Sequence, residues 1–306
     1  MRFIRVPLFG VAALWLISGC TEKPGAVDGG IVLTDGGIGG GDGDDAGVSL
    51  AKVCPRAPAA AAATVLGDIN GDGVLDVADP VALQNHLFRG GPAPSCGAAA
   101  DFNDDGRVEA DDATRLSTYL VSGTQRLRPF TSAQCAGSEA WPEGDCLPLS
   151  LEWDAPERTT SAQFGATLAV RSPQAGVEAW SLSLTAEGCR ITGVTTDGTR
   201  AAERWDEPPG LRRVGYAATT PVANGAVSYV ILSLQEDATL PAQREPSPIL
   251  QVTAEADVPP SGCARCLIFA GDGLSWRGRP LDLTLVAGGR AYRPTAPPVQ
   301  IDVCAP

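Results

Sequence analysis

Residues 68–79 read DINGDGVLDVAD, and residues 101–112 read DFNDDGRVEADD. The two loops share one pattern: Asp at position 1, Asn at 3, Asp at 5, Gly at 6, an apolar residue at 8, an acid at 9 and Asp at 12. Oxygen-bearing side chains thus recur at alternate positions of a loop that the chain builds twice. We expect the rest of the chain to be organised around this pair.

The spacing suits a hard cation. Calcium takes six to eight oxygen ligands at roughly 2.3–2.6 Å, and a 12-residue loop can supply them from positions 1, 3, 5, 7, 9 and 12. Position 7 contributes a backbone carbonyl, and Gly at position 6 allows the sharp turn. The sequence therefore predicts two calcium ions, one held by Asp68, Asn70, Asp72, Val74, Asp76 and Asp79, the other by Asp101, Asn103, Asp105, Arg107, Glu109 and Asp112.

A helix is predicted after each loop. Asp79 before Pro80 is typical of an N-cap followed by proline at the first helical position, and Gly90-Gly91 is expected to end that helix. Asp112 precedes a second helical pattern, which ends before Gly123. No helix is expected to enter either loop, and Leu75 and Val108 are expected to pair as a short β-bridge that points into the core.

These residues resemble a dockerin module, over about Cys54 to Val121. The resemblance implies a small all-α module that binds two calcium ions and docks onto a cohesin domain. The chain departs from the family at positions 10 and 11, where many dockerins carry a hydroxyl pair. Here these positions are Val77-Ala78 and Ala110-Asp111, so the resemblance supports calcium binding more firmly than any particular cohesin partner.

The N-terminus is predicted to be a targeting segment. Arg2 and Arg5 precede an apolar stretch, Val6 to Ile17, that is too short to span a bilayer as a mature helix. Small residues before Cys20 resemble a bacterial lipoprotein signal, which implies cleavage after residue 19 and acylation of Cys20. An ordinary secretory signal is the alternative. Residues 20–53 are rich in Gly and Asp and are predicted to be a flexible tether.

Cysteine usage supports export. With Cys20 lipidated, eight of the nine cysteines remain, and an even number in an exported chain indicates disulfides. We expect Cys54 to pair with Cys96, and Cys135 with Cys146. Cys263 and Cys266 form a CxxC that has no second CxxC and no nearby His, so we expect them to pair with Cys189 and Cys304, or with each other, rather than bind zinc.

Residues 147–306 are predicted to form an antiparallel β-sandwich. Short alternating apolar runs are separated by turn residues, which is typical of this architecture. The predicted strands lie within residues 164–170, 180–184, 249–254, 266–270 and 281–285. Residues 227–234 are nearly all apolar, as in a strand buried on both faces. Residues 126–146 are predicted to be a cysteine-containing linker.

The order of these strands resembles cohesin-like and carbohydrate-binding-module-like jelly-roll sandwiches of exported bacterial proteins. The resemblance rests on residues 176–184, 191–199 and 267–274, together with Leu240-Pro241. It implies binding of a protein partner or a glycan rather than cleavage. The predicted fold class is therefore multidomain, with a small all-α dockerin-like module at residues 54–125 and an all-β antiparallel sandwich at residues 147–306.

Composition argues against an enzyme. His86 is the only histidine, which excludes a Ser-His-Asp arrangement in the sandwich and three-His zinc sites. A carboxylate pair for glycoside hydrolysis stays open, with candidates Glu178, Glu187, Glu203, Asp206 and Glu207. Trp205 and Trp276 could stack on sugars, although core or turn packing is the commoner role. The net charge of −13 makes nucleic acid an improbable partner.

The sequence thus favours a calcium-dependent binding or scaffolding protein on the bacterial cell surface, with the outer membrane as its expected location and a lipid as its only membrane anchor. Its dockerin-like module is expected to engage a cohesin-like domain, either on another protein or in its own sandwich. The first alternative is a carbohydrate-binding surface lipoprotein linked to polysaccharide breakdown. The second alternative is a glycoside hydrolase.

Overall fold

Three α-helices lie around the two loops. They are α1 (Ala78–Arg89), α2 (Gly97–Ala100) and α3 (Ala110–Ser122), and a 3₁₀ turn follows at Ser132–Cys135. The computed structural model describes residues 50–57, 65–123, 127–136, 141–199, 216–222, 225–232, 239–274 and 280–306. The predicted signal peptide, Cys20, nearly all of the tether, Glu203, Trp205, Asp206, Glu207 and Trp276 lie outside these residues.

Both long helices begin earlier than predicted. The N-cap of α1 is Val77 rather than Asp79, and α3 begins at Ala110, with Glu109 as its N-cap, although its helical pattern was expected to follow Asp112. The reason is that the position 12 carboxylate turns back to the amides of its own loop, so the helix has already started when the chain reaches it. In α3, Asp112 occupies the third helical position of a capping box with Glu109.

The helix ends agree with the prediction. Gly90 and Gly123 adopt left-handed conformations, with φ of +67° and +59°, and each donates its backbone N–H to a carbonyl of the preceding helix.

Two other expectations, about the entry to the second loop and about a bridge between the loops, were wrong. The single turn α2 enters the second loop directly, and no β-bridge joins Leu75 to Val108 among the described residues. Both side chains do pack against the core.

The sandwich consists of two main sheets. The first is four-stranded, in the order β3-β5-β10-β7, and all its pairs are antiparallel. Its strands are β3 (Ser150–Asp154), β5 (Gln163–Ser172), β7 (Arg190–Thr195) and β10 (Gln243–Glu255). These bounds contain the predicted strands at 164–170 and 249–254.

The second sheet is larger and is centred on β6. One edge of β6 pairs with β9, and the other edge pairs first with β14 and then with β11. The strands are β4 (Arg158–Thr159), β6 (Ala179–Glu187), β8 (Tyr216–Val222), β9 (Gly225–Ile231), β11 (Cys263–Gly271), β14 (Thr284–Ala287), β15 (Arg290–Tyr292) and β16 (Val299–Cys304).

Two small ribbons complete the sheet structure. One pairs β1 (Lys52–Val53) with β2 (Leu147–Pro148), and the other pairs β12 (Gly273–Leu274) with β13 (Pro280–Leu281). The single strand predicted at 281–285 is therefore wrong, because the chain leaves one sheet after Leu281 and enters another at Thr284. The fold class is confirmed: a small helical module accompanies an antiparallel sandwich.

The main core fills the space between the two sheets. Trp180 is fully buried there, and its indole N–H donates to Ser228 Oγ at 3.1 Å. Successive residues of β9 point to opposite faces. Ala226 and Val230 join this core, whereas Val227, Tyr229 and Ile231 join a second core that also contains the helices. The predicted burial of residues 227–231 on both faces is therefore confirmed.

Four disulfides join the eight cysteines of the described residues: Cys54–Cys146, Cys96–Cys135, Cys189–Cys266 and Cys263–Cys304. The expected Cys54–Cys96 and Cys135–Cys146 pairs are wrong. Cys54 lies beside β1, which pairs with β2 next to Cys146, so the sheet rather than the helical module selects its partner. Cys263 and Cys266 take the first of their two expected alternatives. No helix among the described residues is long and apolar enough to cross a membrane.

Candidate calcium loops and the interface with the sandwich

The two loops fold with the same hydrogen bonds. In each loop the amide of position 6 donates to the carboxylate of position 1, the amide of position 5 to the side chain of position 3, and the amide of position 7 to the carboxylate of position 5. All six distances lie between 2.9 and 3.1 Å. The sequence repeat is thus a structural repeat.

The position 12 carboxylate closes each loop. Asp79 Oδ1 accepts the amide of Ile69 at 2.8 Å, and its Oδ2 accepts the amide of Asp76 at 2.9 Å. In the second loop, Asp112 accepts the amides of positions 2 and 9 at 2.8 and 2.9 Å. Each carboxylate oxygen has two lone pairs, so these bonds leave acceptor capacity for a cation.

The backbone turns left-handed at two positions of each loop. Gly71 and Gly73 have φ of +67° and +83°, and Asp104 and Gly106 have φ of +63° and +85°. Gly or Asp at these positions suits this conformation, since other side chains adopt it at a cost. The second loop therefore uses Asp104 where the first uses glycine.

The first loop is mostly buried, whereas the second is mostly exposed apart from Phe102 and Asp112. Burial raises the pKa of Asp68 to about 6, and repulsion from Asp72 adds to this shift. Burial likewise raises the pKa of Asp72 to about 6, with Asp76 adding to it. Asp79 is completely buried, and burial followed by repulsion from Asp76 raises its pKa well above the ordinary value. The first loop thus places several carboxylates in a buried environment that disfavours their charged forms.

These features fit a hard cation. Asp68 Oδ1 is buried without a hydrogen-bond partner among the described residues, and the surrounding donors are the oxygens that calcium prefers. Among the described residues, no group of three or more His, Cys, Asp or Glu side chains is gathered closely enough to hold a metal ion. The predicted ligand sets also include amide and backbone oxygens, from Asn70, Val74, Asn103 and Arg107.

The helical module packs against the sandwich of its own chain. Val77, Ala78, Val81 and Ala82 are completely buried and belong to one apolar cluster with residues on the outer face of the large sheet. The sheet residues are Ala179, Val227, Tyr229, Ile231, Val286 and Ala291. Val77 and Leu120 also line, with Tyr229, a cavity of about 80 Å³ between the two parts. Residues 48–306 accordingly form one compact unit.

Glu178 anchors one end of this interface. Its carboxylate accepts Asn85 Nδ2 at 3.2 Å, and Arg89 Nη1 lies 3.0 Å from Oε1. It also accepts the backbone N–H of Gly289 at 2.9 Å. Glu178 is 5% exposed, and burial raises its pKa although these donors lower it. The candidate catalytic acid is therefore an interface residue, and Asn85 and Arg89 of α1 cover it.

The hairpin between β14 and β15 lies directly on α1. A Cβ at Gly289 would stand 3.1 Å from Ala82 Cα and 3.3 Å from Asn85 Nδ2. Its φ of +71° also favours glycine. At the other end of the interface, Thr284 Oγ1 lies 3.5 Å from Asp76 Oδ2. The first loop and its helix thus touch the sandwich along their length.

Sequence reasoning missed four residues that build this arrangement: Arg56, Asn85, Arg89 and Gly289. The available signal was in the sheet. A strand of an antiparallel sandwich usually alternates apolar and polar residues, whereas residues 225–231 are buried throughout. An apolar outer face of the large sheet has to be buried by another part of the chain. The apolar pair Val77-Ala78, at positions where many dockerins carry hydroxyls, indicates that the first loop and its helix bury this face.

The family model described as "Dockerin type I domain" matches residues 66–121. No curated protein matched the sequence. Similar solved structures include a type I cohesin–dockerin complex from Clostridium thermocellum, with 11% identity, 53% of this chain and 98% of that chain covered, and a TM-score of 0.36. A scaffoldin B cohesin from Acetivibrio cellulolyticus, in complex with a dockerin, has 8% identity, coverages of 52% and 99%, and a TM-score of 0.35.

A non-cellulosomal cohesin from the archaeon Archaeoglobus fulgidus has 5% identity, coverages of 51% and 90%, and a TM-score of 0.31. The family match describes an interaction module rather than a catalytic domain, in agreement with the prediction that the chain is not an enzyme. The helical module at residues 66–121 therefore matches the dockerin type I family, as its paired loops predicted.

Proposed function

We propose that this protein is a calcium-dependent binding protein in which the dockerin module is held by the sandwich of its own chain. The observation that carries the proposal is the shared apolar core of α1 and the outer sheet face, flanked by the Glu178 and Asp76 contacts. The dockerin resemblance implies a cohesin-like partner, and the packing of α1 on the large sheet supports the sandwich of the same chain in that role. The scaffolding role would then depend on whether this internal pair stays closed.

Calcium would be held by the two predicted sets of ligands, one ion in each loop. Bound calcium would offset the mutual repulsion of the carboxylates and tie each loop to the helix that follows it. The two sets supply the same donor types, because Glu109 replaces Asp76 only by a longer carboxylate.

Calorimetric calcium titration of the full chain tests this part of the proposal. We expect two sites, one lost with Asp68→Ala and the other with Asp101→Ala. Arg107→Ala is a matched control, because its predicted contribution is a backbone carbonyl that the substitution leaves in place. If the wild-type chain gives no binding heat and no gain in unfolding temperature with calcium, the loops are ordinary acidic turns and the proposal fails.

The location on the cell is the second part of the proposal. The lipoprotein signal and Cys20 support attachment to a bacterial membrane, and the tether would carry the compact unit away from it. Labelling cells with a radioactive fatty acid should mark the wild-type protein but not Cys20→Ala. A protease added outside intact cells should degrade it if it lies on the cell surface.

Neither alternative function gains support from the described residues. Trp141 and Trp180 are buried and Trp153 is partly buried against the sandwich core, so none of these three is an exposed ring, while Trp205 and Trp276 lie outside the described residues. Glu178, one of the candidate carboxylates for hydrolysis, is buried in the interface and therefore not accessible to a glycan. The binding role in cis is therefore the function that the geometry supports best.

A further inference from the structure

Residues 52–57, which we call the strap, belong to the sandwich although they precede the helical module in sequence. Lys52 and Val53 pair with β2, and Pro55 forms a bridge with Tyr292. The backbone N–H of Arg56 donates to Ala291 O at 2.9 Å. With the Cys54–Cys146 disulfide, these bonds hold the strap on the sheet.

From this strap the Arg56 side chain reaches into the first loop. Its Nη1 lies 2.7 Å from Asp76 Oδ2 and 3.3 Å from Asp72 Oδ2, and its Nη2 lies 3.5 Å from Asp282 Oδ2 of the sandwich. Asp72 and Asp76 are almost completely buried, with side chains 4% and 7% exposed. Arg56, whose backbone is bound to the sandwich, thus offsets the negative charge of Asp72 and Asp76, at positions 5 and 9 of the first loop.

Among the described residues, no cation forms a salt bridge with the same positions of the second loop, although Arg115 interacts electrostatically with Asp105 from a longer distance. Within the described part of the chain, neither Asp105 nor Glu109 forms a salt bridge. The nearby arginines pair elsewhere: Arg115 Nε lies 2.5 Å from Asp111 Oδ2, and Arg128 Nε lies 3.3 Å from Asp104 Oδ1. Asp111 and Asp104 occupy positions 11 and 4, outside the predicted ligand set.

We infer that Arg56 acts as a built-in counter-cation of the first loop, so that this loop binds calcium more weakly than the second and its loading opposes the contact with the sandwich. The inference rests on the proposed function, since it concerns the same loops. A guanidinium beside two carboxylates repels an incoming divalent cation and occupies their oxygens. Competition with calcium is strongest at Asp76, because Arg56 contacts its Oδ2 and its Oδ1 accepts the backbone N–H of Ala78.

The test isolates the first loop in the full chain by the Asp101→Ala substitution. Into this background we introduce Arg56→Gln, Arg56→Lys or, as the matched control, Arg115→Gln. Binding is followed by calcium calorimetry and by terbium luminescence excited through Trp141, which lines a cavity of about 260 Å³ together with Asn70, Asp72 and Arg56.

Arg56→Gln should raise the affinity of the first loop for calcium and for terbium about tenfold or more. Arg56→Lys, which keeps the charge, should stay closer to the parent, and Arg115→Gln should change nothing. Equal or weaker binding by Arg56→Gln overturns the inference. So does a first loop that binds no calcium with or without Arg56.

The proposed function is judged separately. Binding by the second loop in the Asp68→Ala chain does not depend on Arg56, so it can persist when the inference fails. If neither loop of the wild-type chain binds calcium, the proposed function is wrong as well.

Discussion

At the scale of single residues, two positions determine how closely the module meets the sheet. Gly289 allows the β14–β15 turn to approach α1, and Glu178 supplies a buried charge that Asn85, Arg89 and a backbone amide satisfy. A buried charge without partners is strongly unfavourable, so separating α1 from the sheet would leave Glu178 without Asn85 and Arg89 and would destabilise the fold. Each residue leads to a prediction.

Replacing Gly289 by Ala should loosen the interface. The new Cβ would approach Ala82 Cα to 3.1 Å, and the residue would keep a φ of +71° that L side chains rarely adopt. We expect a loss of about 1–3 kcal/mol in the free energy of unfolding, measured by chemical denaturation. Gly262→Ala is the control, because Gly262 has a similar φ of +75° but no atom within 4 Å of its added Cβ. Equal losses would mean that backbone strain alone is responsible.

Glu178 should make stability depend on pH. Burial raises its pKa in the folded chain above its ordinary value, so the folded state holds the proton over a range where the unfolded state has released it. Its contribution to stability is therefore largest at low pH and declines as pH rises from the ordinary value through the raised one. Among the described residues, Arg89 is the charged side chain that faces Glu178, and the nearby phenol of Tyr292, whose pKa burial raises, stays neutral between pH 4 and 8.

Comparing unfolding temperatures of the wild type and Glu178→Gln between pH 4 and 8, with a calcium chelator present, checks this sign. The difference between the two proteins should shift in favour of the Gln variant as pH rises. A difference that is constant across this range would contradict the prediction. Glu187→Gln, at an exposed position of the same strand, is the control.

At the scale of elements, the strap lies on the sandwich and connects it to the first loop through Arg56. The Cys54–Cys146 disulfide spans 92 residues of sequence, and it lies beside the β1–β2 ribbon. Closing a long loop in the unfolded chain stabilises the folded one. The disulfide also fixes the backbone from which Arg56 reaches the first loop.

The double variant Cys54→Ser, Cys146→Ser should lose about 2–4 kcal/mol of stability. The amides of β1 and β2 should also exchange hydrogen faster than in the wild type, since two residue pairs alone make a weak ribbon. Hydrogen exchange measured by mass spectrometry distinguishes this local release from general destabilisation. Unchanged protection at residues 52–57 would show that sheet pairing alone holds the strap.

At the scale of the whole molecule, the shared core predicts one cooperative unfolding unit. Ala82 belongs to this core, is completely buried and lies close to Gly289 of the β14–β15 turn. Ala82→Arg would place a charge in that apolar contact, so the module should leave the sheet. Calorimetry should then show two transitions where the wild type shows one.

Thr118→Arg is the matched control, because Thr118 lies on the exposed side of α3. This variant should keep the single transition. Two transitions in the wild-type chain would contradict the closed pair, even if calcium binds to both loops. Such an outcome would leave the dockerin module free for a partner on another protein.

The sequence by itself determined the local features of this protein. The alternating oxygen side chains define both loops, Gly90 and Gly123 end the helices, and apolar patterns locate five strands, β5, β6, β9, β10 and β11, because these features depend on short-range stereochemistry. The tertiary structure alone decided the disulfide pairs, the placement of Arg56 in the first loop and the covering of Glu178 by α1. Those contacts join residues up to 93 positions apart, and a linear pattern shows which side chains need burial but not which surfaces bury them.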